Sequence, residues 1–168
     1  MAREKIGTFE ASQETFDRLA SPGALLVSGT DKPNVMTIGW GTMGIIWGKP
    51  IFTVLVRPSR HTTEFLDKHQ EFTVCVPTPE MKKEVLLCGT KSGRELDKIV
   101  ECGFTMKPGL DVEVPHIEQC PVHYECKTVH INDVHKTFLD AEIKESYYPA
   151  EDYHFIYYGE ILGVYRKS

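Results

Sequence analysis

This chain of 168 residues lacks several features, and each absence excludes something. No apolar run approaches the ~20 residues of a membrane-spanning helix, so no membrane partner is expected. No Lys/Arg run forms a basic stripe and the formal net charge is −5, so nucleic acid is not an expected partner either. The start, MAREKIGTFEAS, lacks the apolar stretch of a secretory signal. The five cysteines are odd in number, irregularly spaced and without a C-x-x-C pair. That usage fits reduced thiols in a cytoplasmic protein better than a disulfide framework. The G-x-S-x-G of a nucleophile elbow and the G-x-G-x-x-G of a dinucleotide fold are both absent. There is no internal repeat, low-complexity segment or linker. The expectation is one domain, residues 1–168, large enough to bury roughly 70% of its unfolded surface without metal or disulfide.

What is present centres on residues 34–63. Two strand-like runs, VMTIGWG and IFTVLV, are joined by a Gly-rich link ending in Lys49-Pro50. The second run stops at Arg57-Pro58, and Arg57, Ser59, Arg60, Thr62 and Thr63 crowd into seven residues before the amphipathic run EFLDKH. Hydroxyls here would serve as helix caps in any protein. Arginines, however, are unfavourable beside the positive end of a helix unless an anion compensates them. Two guanidinium forks and three hydroxyls suit a phosphate.

Elsewhere the spacing predicts a short helix capped by Ser12 with Phe16 and Leu19 inward, then a strand over 24–29. Further expectations are a helix over 62–69 with Phe65 and Leu66 inward and a strand over 72–77. A helix from Thr78 to about Leu87 should stop near Gly89. Ser92 to Glu95 reads as a capping box for a helix with Leu96, Ile99 and Val100 buried. The last third, VHYECKTVHI, KTFLDAEIKE and HFIYYGEILGVY, reads as three strands. Few helices between many strands argue against a doubly wound parallel sheet and for a mainly β, antiparallel barrel.

Three other groups bear on chemistry. The loop Cys88 to Lys98, CGTKSGRELDK, is a helix stop followed by a cap, yet its glycines permit close approach of a flat ligand to backbone amides. His116, Cys120, His123 and Cys126 have zinc-like spacing, but on a strand His123 and Cys126 point to opposite faces, so no metal site is expected. Trp40 and Trp47 bracket the Gly-rich link, as core or interface aromatics or as the wall of a ring-shaped ligand.

The ordered series NVMTIGW, WGKPI, RPSRHT, EFTVCVP, CGTKSGRELDK and HFIYYGEI resembles the flavin reductase-like, FMN-binding split-barrel family, in particular its flavoredoxin branch, over residues 24–164. The resemblance implies an FMN-binding split β-barrel acting as a homodimer. It implies that Met36, Thr37, Gly39, Trp40 and Thr42 line the isoalloxazine and ribityl chain. Arg57, Ser59, Arg60 and Thr62 would hold the phosphate, and Gly89, Ser92, Gly93 and Lys98 would close over the flavin. The implied activity is transfer of electrons from NAD(P)H through FMN to flavin, ferric or protein acceptors. Its alternative is an electron carrier without direct NAD(P)H activity, fed by a redox protein partner. Neither role needs a strong acid or base.

Overall fold

The computed structural model describes residues 2–168. Ten strands and five helices follow one another along those residues. β1 (Arg3–Lys5) precedes α1 (Ser12–Ala20), and β2 (Ala24–Ser28), β3 (Asn34–Ile38), β4 (Gly41–Ile46) and β5 (Lys49–Val56) follow. Then come α2 (Thr62–His69), β6 (Glu71–Val76), α3 (Lys82–Thr90), α4 (Lys98–Glu101), β7 (Met106–Lys107) and β8 (His116–Ile117). β9 (Val122–Asp133), α5 (Ala141–Tyr147) and β10 (Phe155–Lys167) complete the order. No helix among the described residues is long and apolar enough to cross a membrane.

Eight strands form one antiparallel sheet in the order β3-β2-β6-β9-β10-β5-β4, with β1 also on β10; β7 and β8 make a separate ribbon. β3 and β4 stand at opposite ends of that order, yet only Gly39 and Trp40 separate them in sequence. The three Cα–Cα steps from Ile38 to Gly41 reach at most ~11 Å. The two edges of the sheet must therefore meet, and the sheet rolls into a barrel whose seam is joined by chain rather than by a ladder. This is the split barrel expected from the sequence.

Side-chain alternation sets two cores. Leu26, Met36, Phe52, Val54, Val74, Tyr124, Cys126 and Tyr157 fill the barrel interior. Leu25, Val27, Val35 and Cys75 point outward, beneath Val85 and Cys88 of α3 and Phe104, Val114 and Ile117 of the following segment. β2 is buried along its whole length for this reason. Each such Leu, Val or Phe contributes about 1.5–3 kcal/mol by leaving water. One glycine is required for the closure of the interior. A Cβ on Gly159 would lie 2.3 Å from Cζ of Phe72, so any side chain there would drive that ring out.

Several local expectations are corrected. VMTIGWG is not one strand: it breaks at Gly39-Trp40, and the Gly-rich link is itself β4. β4 pairs with β5 through a tight turn at Trp47 (φ 54°) and Gly48 (φ 68°). Positive φ at both central residues is the hairpin turn that matches strand twist. KTFLDAEIKE is not a strand. Asp140 accepts from the amides of Glu142 and Ile143 and caps α5, whose residues bury none of their side chains. With no buried face to select it, the apparent two-residue alternation carries no weight against that cap. α3 begins at Lys82, after a turn closed from Met81 N–H to the Thr78 carbonyl, and it runs through Gly89. The Ser92 capping box does not form. Asp97 caps α4 instead, α4 is a single turn, and Val100 is 75% exposed. Ser12 lies inside α1 rather than capping it, and Phe16 is exposed while Thr15 turns inward to Tyr124. In α2, Leu66 is inward as expected, with Thr62 and Thr63 beside it; Phe65 is half-buried.

Candidate functional site

Two adjoining cavities open at the barrel seam. The first, about 210 Å³, is lined by Met36, Thr37, Ile38, Gly39, Trp40, Leu55, Arg57, Arg60 and His154. The second, about 190 Å³, is lined by Asn34, Ser59, Arg60, His61, Thr62, Thr90, Lys91, Ser92, Gly93 and Lys98. Arg60 lines both. Four of the residues expected along the ring and ribityl chain therefore meet in one cavity. Six of those expected near the phosphate or over the flavin meet in the other. A larger cavity of about 800 Å³ lies beyond, sharing Asn34, His61, Gly93 and Lys98 with the second.

The charges of the second cavity are unusual. Lys98 is 5% exposed and donates from Nζ to the Cys88 carbonyl at 2.9 Å. Arg60 donates from Nη1 to the Gly89 carbonyl at 3.2 Å, while its Nη2 is buried without a partner. Neither cation forms an ion pair among the described residues. Burial depresses both of their pKa values; the neighbouring Arg57 depresses Arg60 further, and Arg60 adds to the depression at Lys98. α2 starts at this point, so the positive end of its dipole faces the same space. Concentrated positive charge and an unmet donor define a seat for an anion.

Arg57 and Ser59 have other work. The Arg57 guanidinium donates to the carbonyls of Asp152 (2.7 Å) and Tyr147 (2.8 Å) and lies over the Tyr148 ring. The Ser59 hydroxyl donates to the Asp152 carboxylate at 2.7 Å. The two residues thus clamp the segment between α5 and β10 against the seat. That segment also supplies the neighbours of Trp40: the Tyr147 ring stands edge-on at 5.2 Å and His154 lies 4.9 Å away. Tyr148 Oη and His154 Nδ1 are hydrogen-bonded at 2.7 Å. Burial, with Arg57 nearby, lowers the His154 pKa to about 4, so its ring is neutral at pH 7.

The remaining expected residues divide. Thr62 is buried and accepts from the Asn34 amide at 2.9 Å. Gly93 fits tightly, because a Cβ there would meet Oδ1 of Asn34 at 2.3 Å. Ser92 accepts from the Arg94 amide, as its turn requires. Gly89 lines neither cavity but packs on Thr37 and offers its carbonyl to Arg60. Thr42 is not brought to the site: on exposed β4 it pairs with Thr53 at 2.6 Å. Asn34 and His61 were not singled out from the sequence, although His61 lies within the same RPSRHTT run and its type was a fair signal. Trp47 sits at the β4–β5 turn against His130 and Tyr158, away from both cavities.

The His/Cys group does not gather as spaced. Cys126 packs in the barrel interior and Cys120 in the outer core, whereas His123 turns to Glu125. His116, His123 and Glu125 do come together, fully buried. The two imidazoles are stacked at 3.9 Å and 6°, so their in-plane lone pairs run side by side and do not converge on a point. Glu125 is already saturated by the amides of Leu110, Asp111 and Val112.

A sequence model of the flavin reductase like domain matches residues 16–168. An uncharacterized protein of Archaeoglobus fulgidus is 36% identical over 105 residues, which is 62% of this chain and 59% of that protein. The chain therefore spans under two thirds of that relative's length. Flavoredoxin from Methanosarcina acetivorans aligns with a TM-score of 0.68 and 26% identity, over 88% of this chain and 69% of its own. Flavoredoxin of Desulfovibrio vulgaris (Miyazaki F) aligns with a TM-score of 0.68 and 23% identity, over 88% and 70%. The chain belongs to the flavin reductase-like family.

Proposed function

We propose that this protein binds FMN across the two seam cavities and passes electrons from NAD(P)H through it to flavin, ferric or protein acceptors. The observation that carries the reading is the pair of cations, Arg60 and Lys98, that have no counter-ion among the described residues, while Arg60 Nη2 is buried with no partner among them. The residues fit the group. Arg60, Lys98 and Thr62 would take the phosphate, and Arg57 and Ser59 would frame that seat by holding the 147–154 segment. Met36, Thr37, Gly39 and Trp40 would flank the ribityl chain and ring, with His154 presenting a neutral imidazole that adds no competing charge. When bound, FMN accepts a hydride and gives electrons up singly or in pairs. The chain's own task is to orient it, exclude water on one side and compensate its phosphate.

The protein acts as one domain and as a homodimer in this reading. Ile45 (63% exposed) and Trp47 (61% exposed) form an apolar hairpin tip that a second copy would cover. The test is the visible spectrum of purified protein titrated with FMN, before and after anaerobic NADH or NADPH. Flavin absorbance that bleaches with nucleotide alone supports the reading. Bleaching only by dithionite or a reduced protein makes the chain a carrier, and a colourless protein unaffected by FMN refutes the proposal.

A further inference from the structure

Cys88 lies in α3 and Cys102 directly follows α4, and their sulfurs are 3.9 Å apart. The residues between them in sequence include Thr90, Lys91, Ser92, Gly93 and Lys98, half of the lining of the anion cavity. We propose that Cys88 and Cys102 are a thiol–disulfide modification site, oxidised by low-molecular-weight disulfides, and that closing it staples this wall of the cavity.

The geometry suits the bond. Two sulfurs in van der Waals contact need to approach to about 2.05 Å, a shift of about 1 Å for each, within reach of side-chain rotation. Lys98 Nζ already ties α4 to the Cys88 carbonyl, so the helices are held in place while the sulfurs move. Access assigns the order of attack. Cys102 is half-buried and Cys88 fully buried. The Cys102 thiolate attacks the small disulfide, forming a mixed disulfide and releasing one small thiolate. Cys88 then attacks the Cys102 sulfur and releases the second small thiolate, which takes up the Cys88 proton. Two protein thiols are oxidised and one small disulfide is reduced to two thiols. Burial raises both pKa values, that of Cys88 to about 12, so exchange is slow at neutral pH and quickens in alkali. The closed ring would span the exposed Lys91 and Arg94 and restrict their motion.

The experiment incubates the full chain with oxidised glutathione at about pH 8.5, where thiolate is more abundant. It then reads free thiols, the bridged peptides and the rate of trypsin cleavage after Lys91 and Arg94 on reducing gels. Two of the five thiols should disappear, the bridge should join Cys88 to Cys102, and cleavage should slow several-fold and recover with dithiothreitol. Cys88→Ser should keep a stable glutathione adduct on Cys102, because nothing resolves it. Retention of all five thiols, a bridge between the buried Cys75 and Cys120 instead, or a bridge that leaves cleavage unchanged would overturn the proposal. None of these readouts requires bound flavin.

Discussion

Arg60→Ala tests the seat most directly. In the protein Arg60 spends Nη1 on the Gly89 carbonyl, which leaves Nη2 and the net charge for an anion. A charge-assisted hydrogen bond contributes about 1.5–3 kcal/mol. Losing one should weaken FMN binding roughly 10- to 100-fold, at 1.4 kcal/mol per decade. Riboflavin has the same ring and ribityl chain without the phosphate, so its affinity should barely change. Arg60→Lys should recover only part of the loss, since a point charge replaces a planar fork. The flavin-free protein supplies an internal control. Arg60 is a half-buried cation held at an energetic disadvantage, so its removal relieves desolvation while freeing only one carbonyl. Unfolding without flavin should shift by no more than about 1 kcal/mol. Fluorescence titration with both flavins, paired with urea unfolding of apoprotein, checks all of this. Equal weakening of FMN and riboflavin, or no change in either, would remove Arg60 from the phosphate seat.

Arg57→Ala should act differently: the segment from Tyr147 to Asp152 loses two charged-donor bonds, stability falls by about 1–3 kcal/mol, and limited proteolysis should find new cleavage there. Its effect on FMN affinity should be smaller than that of Arg60→Ala. Gly93→Ala forces a Cβ against the Asn34 side chain that supports Thr62, and FMN titration should show roughly 5- to 140-fold weaker binding, equivalent to the 1–3 kcal/mol of overpacking. His116 is 3% exposed and burial lowers its pKa from 6.5 to about 4. The folded state binds its proton later than the unfolded state, so the stabilisation is present above pH 6.5 and lost as pH falls through 4. His116→Gln should remove up to about 3 kcal/mol of that pH dependence in urea melts compared at pH 7 and pH 4.

The sequence was most informative where local chemistry and tertiary demand agreed. IFTVLV and FTVCVP are apolar on both faces, and β5 and β6 are buried on both. The alternation in VHYECKTV placed Tyr124 and Cys126 in the barrel interior and His123 with Glu125 outside it. It was least informative where an element packs against nothing. α5 buries no side chain, so its start rests on one cap, Asp140, inside a run whose β-branched and aromatic residues looked like strand. The seam is a third kind of case. VMTIGWG has strand character throughout, and nothing local says that its last residues pass from one edge of a sheet to the other. That follows only from the strand order, which depends on pairings across more than a hundred residues.

The same limit explains the division of labour in the RPSRHTT turn. Its composition announced an anion seat, and two arginines three residues apart looked equivalent. They differ in the acceptors they meet, although the turn, closed by Arg60 N–H on the Arg57 carbonyl, brings both to one cavity. Arg57 meets carbonyl oxygens from residues 147 and 152, 90 and 95 positions later in the chain, and these satisfy its fork. Arg60 meets one carbonyl from α3 and, among the described residues, no acceptor for its buried Nη2 beside the cavity. Which cation remains available to a ligand is therefore decided by acceptors that arrive from elsewhere in the fold. An unsatisfied donor on a cavity wall, and not the count of cations in a motif, separates the two arginines as candidates for a ligand.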